Sequence, residues 1–236
     1  MTSRQLLLSL LLSLVPAFAQ TAQAPLPSLA QPATPAAPSM GQNLVYTSPS
    51  GLFSIPVPVL QELGGKIVDT DLYVNFEDDY TTHITVGVIQ MDATFRWELA
   101  TMEKKDFLVR AFGSMVLPQF KAASPTTKDD SVKLLPKFKD GALLVCTLHP
   151  GISHFSSRTA LFGGGQDNPP TARRGTLMFT QGEYLVIISS ELGERATERS
   201  AYTRTDAQEQ ELLKDRLVNL AKGLKLNVPA NQPAKP

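Results

Sequence analysis

Three histidines, His83, His149 and His154, are the only imidazoles in a chain of 236 residues. Zinc is held by three or four side chains converging at about 2.0–2.3 Å. Only His149 and His154 are close in sequence, and neither cysteine nor carboxylate falls between them. They read as loop histidines rather than a metal centre. Gly163, Gly164 and Gly165 present a run of backbone amides that an anion accepts, with Arg158, Arg173 and Arg174 supplying charge. A phosphate loop enters a helix through Gly-Lys-Ser/Thr or Gly-x-Gly-x-x-Gly. Here Gln166-Asp167-Asn168-Pro169-Pro170 follows and opposes helix entry, so the triplet reads as a flexible linker. His149, His154, Arg158, Gly163, Gly164, Gly165, Arg173 and Arg174 are therefore the ligand-loop candidates for a small molecule, an anion or a metal.

Hydrolytic chemistry is equally thin. Ser153, Ser156 and Ser157 stand near His154, but a nucleophile needs a positioned base that a third group orients. The chain has no Gly-x-Ser-x-Gly and no His-Glu-x-x-His. Asp78 and Asp79 are adjacent in a turn, where they point apart and read as solvated. Cys146 is the single cysteine, so an internal disulfide is excluded. Alternation puts it on one face with Leu144 and Leu148, as a small buried hydrophobe.

The elements that position these groups are written in two periods. Residues 173–190, RRGTLMFTQGEYLVIISS, contain two β-rich runs around Gln181-Gly182. The consecutive apolar residues 184–188 call for a central strand covered on both faces. Strands are also expected over 44–47, 52–57, 66–76, 82–91, 132–138 and 142–148, with Asp140-Gly141 as a hairpin turn. Pro56 and Pro58 should end their strand or hold it at an edge. Phe107, Leu108, Ala111, Phe112, Met115 and Val116 form one stripe of a helix over 102–117, stopped by Pro118. Residues 94–100, with Trp97, either extend that helix or form a loop. A last helix starts at Asp206 as cap, with Glu209 reaching back, and ends with Gly223 left-handed. The mixed-charge stretch 197–210 reads as a solvated approach to it. The long connection 149–171 is the place to look for a site.

Composition and the ends bound the class. Basic and acidic side chains number 22 each, which leaves no basic footprint for nucleic acid. Arg4, the apolar run 6–15 and Ala17-Phe18-Ala19 have the layout of a secretory leader. Its apolar run is far below the roughly 20 residues of a membrane span, and no cysteine follows the cut for lipid attachment. The expected organisation is a signal peptide over 1–19, a Pro/Ala-rich linker over 20–42, one domain over 43–226 and a tail over 227–236. A periplasmic or extracellular location follows, without a stable membrane anchor after cleavage.

The order hairpin, long hairpin, helix, strand pair, long loop, strand pair, helix resembles the PsbP-like superfamily, which includes Ran-binding Mog-type proteins and exported DcrB-type proteins. So does the opening Tyr46-x-Ser48-x-x-Gly51-x-Phe53-Ser54-Ile55-Pro56-x-Pro58. The chain departs from the pattern in lacking an aromatic residue soon after Pro58 and in its long glycine-rich loop. The resemblance implies an α/β (α+β) fold: an α/β/α sandwich whose central, mostly antiparallel sheet is covered by two main helices. It implies accessory or binding proteins with no shared reaction, and no functional residue transfers. The expected function is an exported, non-enzymatic accessory or protein-binding module with another protein as partner and no cofactor. The alternative is a ligand binder using 149–171, and a hydrolase comes third.

Overall fold

The computed structural model describes residues 44–70, 73–155, 171–198 and 201–227. The strands are β1 (Val45–Thr47), β2 (Phe53–Pro56), β3 (Lys66–Asp69), β4 (Tyr73–Glu77), β5 (His83–Gln90), β6 (Lys128–Leu135), β7 (Ala142–His149), β8 (Ala172–Gln181), β9 (Tyr184–Glu191) and β10 (Lys225–Leu226). Helices α1 (Ala93–Thr101), α2 (Lys104–Ala111) and α3 (Leu117–Ala123) come between β5 and β6, while α4 (Glu194–Thr197) and α5 (Asp206–Gly223) follow β9. Seven strands form one antiparallel sheet in the order β3-β4-β5-β9-β8-β7-β6, and β1, β2 and β10 form a second, three-stranded sheet. The apolar run of β9 is thus fourth of seven, with Leu185, Val186 and Ile188 fully buried.

Strand alternation divides the core into two layers. On one face Leu144, Leu177, Phe179, Val186 and Ile188 pack with Leu217, Ala221 and Leu224 of the α5 end and with Phe53 and Ile55 of the small sheet. On the other, Leu143, Val145, Met178 and Leu185 pack with Phe107, Leu108, Ala111, Phe112 and Val116. This is the expected α/β/α layering. Each such side chain contributes about 1.5–3 kcal/mol when fully buried. The opening motif closes the first layer. Gly51 turns the chain at φ 69°, the Phe53 amide donates to the Ser48 hydroxyl at 3.2 Å, and the Tyr46 ring meets Phe76 edge-on at 5.5 Å.

Several expectations are corrected. The run 66–76 is two strands, β3 and β4, because Thr70 and Tyr73 close a turn through both backbone and hydroxyl. The first two strands do not join the main sheet; β2 lies between β1 and β10, and it ends at Pro56 as expected. The helix over 102–117 is broken and prolonged. Asp92 caps α1 by accepting from the Phe95 amide, Met102 ends α1, and a π-helical turn at Phe112–Val116 leads into α3. Pro118 does not stop the chain there, because it occupies the first turn of α3, where its missing amide costs nothing. The polar residues 128–130 belong to β6, and the β6–β7 connection runs from Leu135 to Ala142 through left-handed Lys139, Asp140 and Gly141. Lys104 holds it by donating to the Asp140 carbonyl at 2.8 Å. The β8–β9 turn is centred on Gly182-Glu183, one residue later than read, with Gln181 opposite Tyr184 and only Gly182 at positive φ. Thr205, not Asp206, caps α5, in a capping box with Gln208. Gly223 is the last helical residue, close against Pro56, and Leu224 leaves in extended conformation.

Gly175 measures how tightly α5 sits on the sheet, since a Cβ there would stand 2.9 Å from Leu217 and 3.2 Å from Leu213. Gly175→Ala should lower stability in urea by about 1–3 kcal/mol through overpacking. Gly113→Ala, with open space around it, should leave stability unchanged or raise it by up to about 1 kcal/mol. Equal changes at the two glycines would contradict the packing.

Candidate functional site

Adjacent residues of a strand point to opposite faces, so Arg173 and Arg174 at the start of β8 carry charge to both sides of the sheet. The Arg173 side chain is 1% exposed, and that of Arg174 is only partly exposed at 11%. Each has therefore been given carboxylates, and two polar clusters stand back to back at one end of the sheet.

On the α5 face, Arg173 meets Glu209 at 2.8 Å, Asp206 at 2.9 Å and Asp130 at 3.4 Å, and donates to the Asp206 carbonyl at 3.1 Å. Its Nε has no hydrogen-bond partner among the described residues. Glu209, itself 1% exposed, also takes Arg195 at 2.9 Å and the Tyr202 hydroxyl. Burial first, then the hydrogen bond to Glu209, raises the Tyr202 pKa. Asp130 further accepts from Gln210 at 3.0 Å. Most of the described residues in the approach to α5 are exposed, as expected of a solvated stretch, and Tyr202 and Glu209 tie it to the buried network. Cys146 lies beside this cluster, buried with Leu192 and Leu213, and burial pushes its thiol up. That bears out its reading as a small hydrophobe.

On the opposite face, Arg174 donates to Glu191 from two nitrogens, each at 3.1 Å, and lies over the Phe120 ring. Glu191 also accepts from the Ser153 hydroxyl at 2.5 Å and the His154 amide at 3.2 Å. The His154 ring is stacked on His83, with centroids 3.3 Å apart. His149 is buried, with Thr127 at 3.1 Å from Nδ1 and Thr147 at 2.7 Å from Nε2, and Phe120 against its ring. Burial, then the charge of Arg174, lowers His149 to about 3. A neutral ring with one donor and one acceptor nitrogen is fully served by two hydroxyls.

Of the ligand-loop candidates, the fold brings His149, His154, Arg173 and Arg174 to one end of the sheet, with Arg173 on the far face. Arg158, Gly163, Gly164 and Gly165 lie outside the described residues, as do Ser156 and Ser157. Both nitrogens of His149 are occupied by hydroxyls, and the Ser153 hydroxyl goes to a carboxylate rather than to an imidazole. Among the described residues no three His, Cys, Asp or Glu side chains are placed to hold a metal. Asp78 is half-buried rather than simply solvated: it accepts from the amides of Tyr80, Thr81 and Thr82 and holds the turn before β5. Sequence reasoning missed His83, Glu191 and Glu209 as members of these clusters. Glu209 stands four residues before Leu213 on the apolar stripe of α5, and Glu191 shares the parity of Leu185 and Ile187. Charges on buried faces were the available signal.

No family model matches the sequence, and no curated protein matches it. Among solved structures, the Saccharomyces cerevisiae Ran-binding protein Mog1p is similar over 78% of this chain and 95% of its own, at 11% identity and a TM-score of 0.45. Cyanobacterial PsbP (CyanoP) from Synechocystis sp. PCC 6803 is similar over 83% and 99%, at 11% identity and a TM-score of 0.43. A Bacteroides thetaiotaomicron VPI-5482 protein is similar over 82% of this chain, at 11% identity and a TM-score of 0.41. The chain spans about half of the length of that last protein, 52%.

The lowered His149 fixes the sign of one pH dependence. A group whose folded pKa lies below its unfolded value of 6.5 binds fewer protons when folded, so stability is full above pH 6.5 and falls as the pH drops toward 3. Urea midpoints should therefore decline between pH 7 and pH 4.5. His149→Gln should start about 1–3 kcal/mol less stable at pH 7 and decline less steeply. A parallel decline in both proteins would contradict a neutral, buried His149.

Proposed function

We propose that this chain is an exported, non-enzymatic accessory module that works by contacting another protein. One observation carries the reading: Trp97 is 66% exposed on α1, whose one buried side chain is Glu98. A tryptophan facing water forgoes a large apolar burial, and such residues are enriched among the anchors of protein interfaces. Arg96 beside it is also exposed and reaches Glu183 in the β8–β9 turn at 3.6 Å, which places the anchor next to that turn. The buried charged groups of the two clusters, by contrast, are already paired with one another. The secretory leader and the uncharged spacer read from the sequence support export and a domain held at some distance from its point of attachment or release.

A photo-crosslinking residue placed at Trp97 in the native host should capture a defined partner from the exported fraction, with the mature chain beginning near Gln20. The same probe at Val132, exposed on the sheet edge, should not. Trp97→Ala should weaken binding of the purified partner at least about tenfold, as a lost interface anchor does. It should leave stability within about 0.5 kcal/mol, as for other surface substitutions. Unchanged affinity in Trp97→Ala, or an N-terminus at Met1, would contradict the proposal.

A further inference from the structure

Tyr46 and Asp69 belong to different sheets, β1 of the small one and the end of β3 in the large one, yet the Tyr46 hydroxyl donates to the Asp69 carboxylate at 2.5 Å. Alternation brings them together. Tyr46 lies opposite Ile55, which is fully buried in the first core layer, and Asp69 shares the parity of Ile67, which packs on that same layer. Burial, then the hydrogen bond to Asp69, raises the Tyr46 pKa, so this phenol remains a donor. The two side chains line a cavity of about 270 Å³, whose other walls include Ser48, Ser50 and Leu52 of the β1–β2 turn and Val88 of β5. The opening motif therefore builds one side of a cavity as well as closing the core.

The charge in this cavity is one-sided. Asp69 is the single ionisable acid on its walls, and no lysine, arginine or histidine lines it. Among the described residues Asp69 has no basic partner; Lys66, at the other end of β3, stands on the opposite face by alternation and lies across from Glu77. A carboxylate accepts at about four positions, and the Tyr46 hydroxyl takes one. Ser48 is already spent on the Phe53 amide and the Ser50 hydroxyl. We propose that this cavity binds an organic cation, an ammonium or guanidinium group on an apolar stem. The cation pairs with Asp69, the Tyr46 ring whose hydroxyl touches that carboxylate offers it an aromatic face, and the stem rests on Leu52 and Val88. An anion of the same shape is repelled by the same carboxylate. This chemistry is shared by a free alkylamine and by a Lys or Arg side chain of a peptide. No wall of the cavity belongs to α1, so the site is separate from Trp97 and does not depend on it.

Isotope-labelled mature protein at pH 7, titrated with butylammonium chloride and, at matched ionic strength, with sodium butyrate or glucose, tests the site by NMR. The amides of Ser50, Leu52, Asp69 and Thr70 should shift saturably with butylammonium alone, and less tightly as sodium chloride is raised. Asp69→Asn should weaken binding about tenfold or more. Tyr46→Leu should weaken it about threefold or more, and Tyr46→Phe, which keeps the ring, by less. End-blocked alanine pentapeptides with a central Lys or Arg separate the two sources: tighter binding than butylammonium assigns the cation to a peptide side chain, weaker binding to a free amine. Should a variant lose the dispersed spectrum of the fold, the contrast between butylammonium and butyrate on the unaltered protein still decides. Equal shifts with butyrate or glucose, shifts that grow without saturating, or undiminished binding in folded Asp69→Asn would each overturn the site.

Discussion

Two adjacent arginines opening a buried strand cannot share a side of the sheet, and neither can be left without a counter-charge. Removing an ion from water costs several kcal/mol unless good geometry and further hydrogen bonds offset it. This constraint organises one end of the molecule. Arg173 draws Glu209, Asp206 and Asp130 together and so fixes where the first turn of α5 meets the sheet. Arg174 draws Glu191, and through it Ser153 and His154, so the chain leaving β7 is folded back over the opposite face. The apolar layers hold the helices on, and the Arg173 cluster ties the first turn of α5 to the sheet.

The two clusters differ in kind. The Arg173 side gathers three carboxylates on one guanidinium with a helix start built into it, and behaves as a rivet. The Arg174 side ends in a short segment whose outermost contact is a pair of stacked imidazoles. One end of the same sheet therefore carries two polar clusters, separated by the thickness of β8. Neither draws on α1, whose exposed tryptophan looks away from both layers of the core.

Much of the scaffold was legible because it rests on periodicity. The run 184–188 located the central strand, and the stripe from Phe107 to Val116 located the helical layer. Physical context decided what periodicity could not. Pro118 reads as a stop until a π-helical turn offers it the first position of a new helix, and Asp206 reads as a cap until Thr205 takes that role and frees it for Arg173. The polar clusters were half visible: His149, His154, Arg173 and Arg174 were marked by residue type. Their partners Glu191, Glu209 and His83 are distant in sequence, and only the pairing of strands brings them near.

A double-mutant cycle on Arg173 and Glu209, read by urea denaturation at pH 7, tests the organising interaction most directly. Arg173→Met and Glu209→Gln should each cost about 2–4 kcal/mol, because each takes from a buried charge its nearest partner and leaves only the remaining members of the network to hold it. The double variant should lose far less than the two together, with a coupling of about 2 kcal/mol or more. Small, additive losses would mean that the apolar layers alone seat α5 and that the arginine pair is incidental.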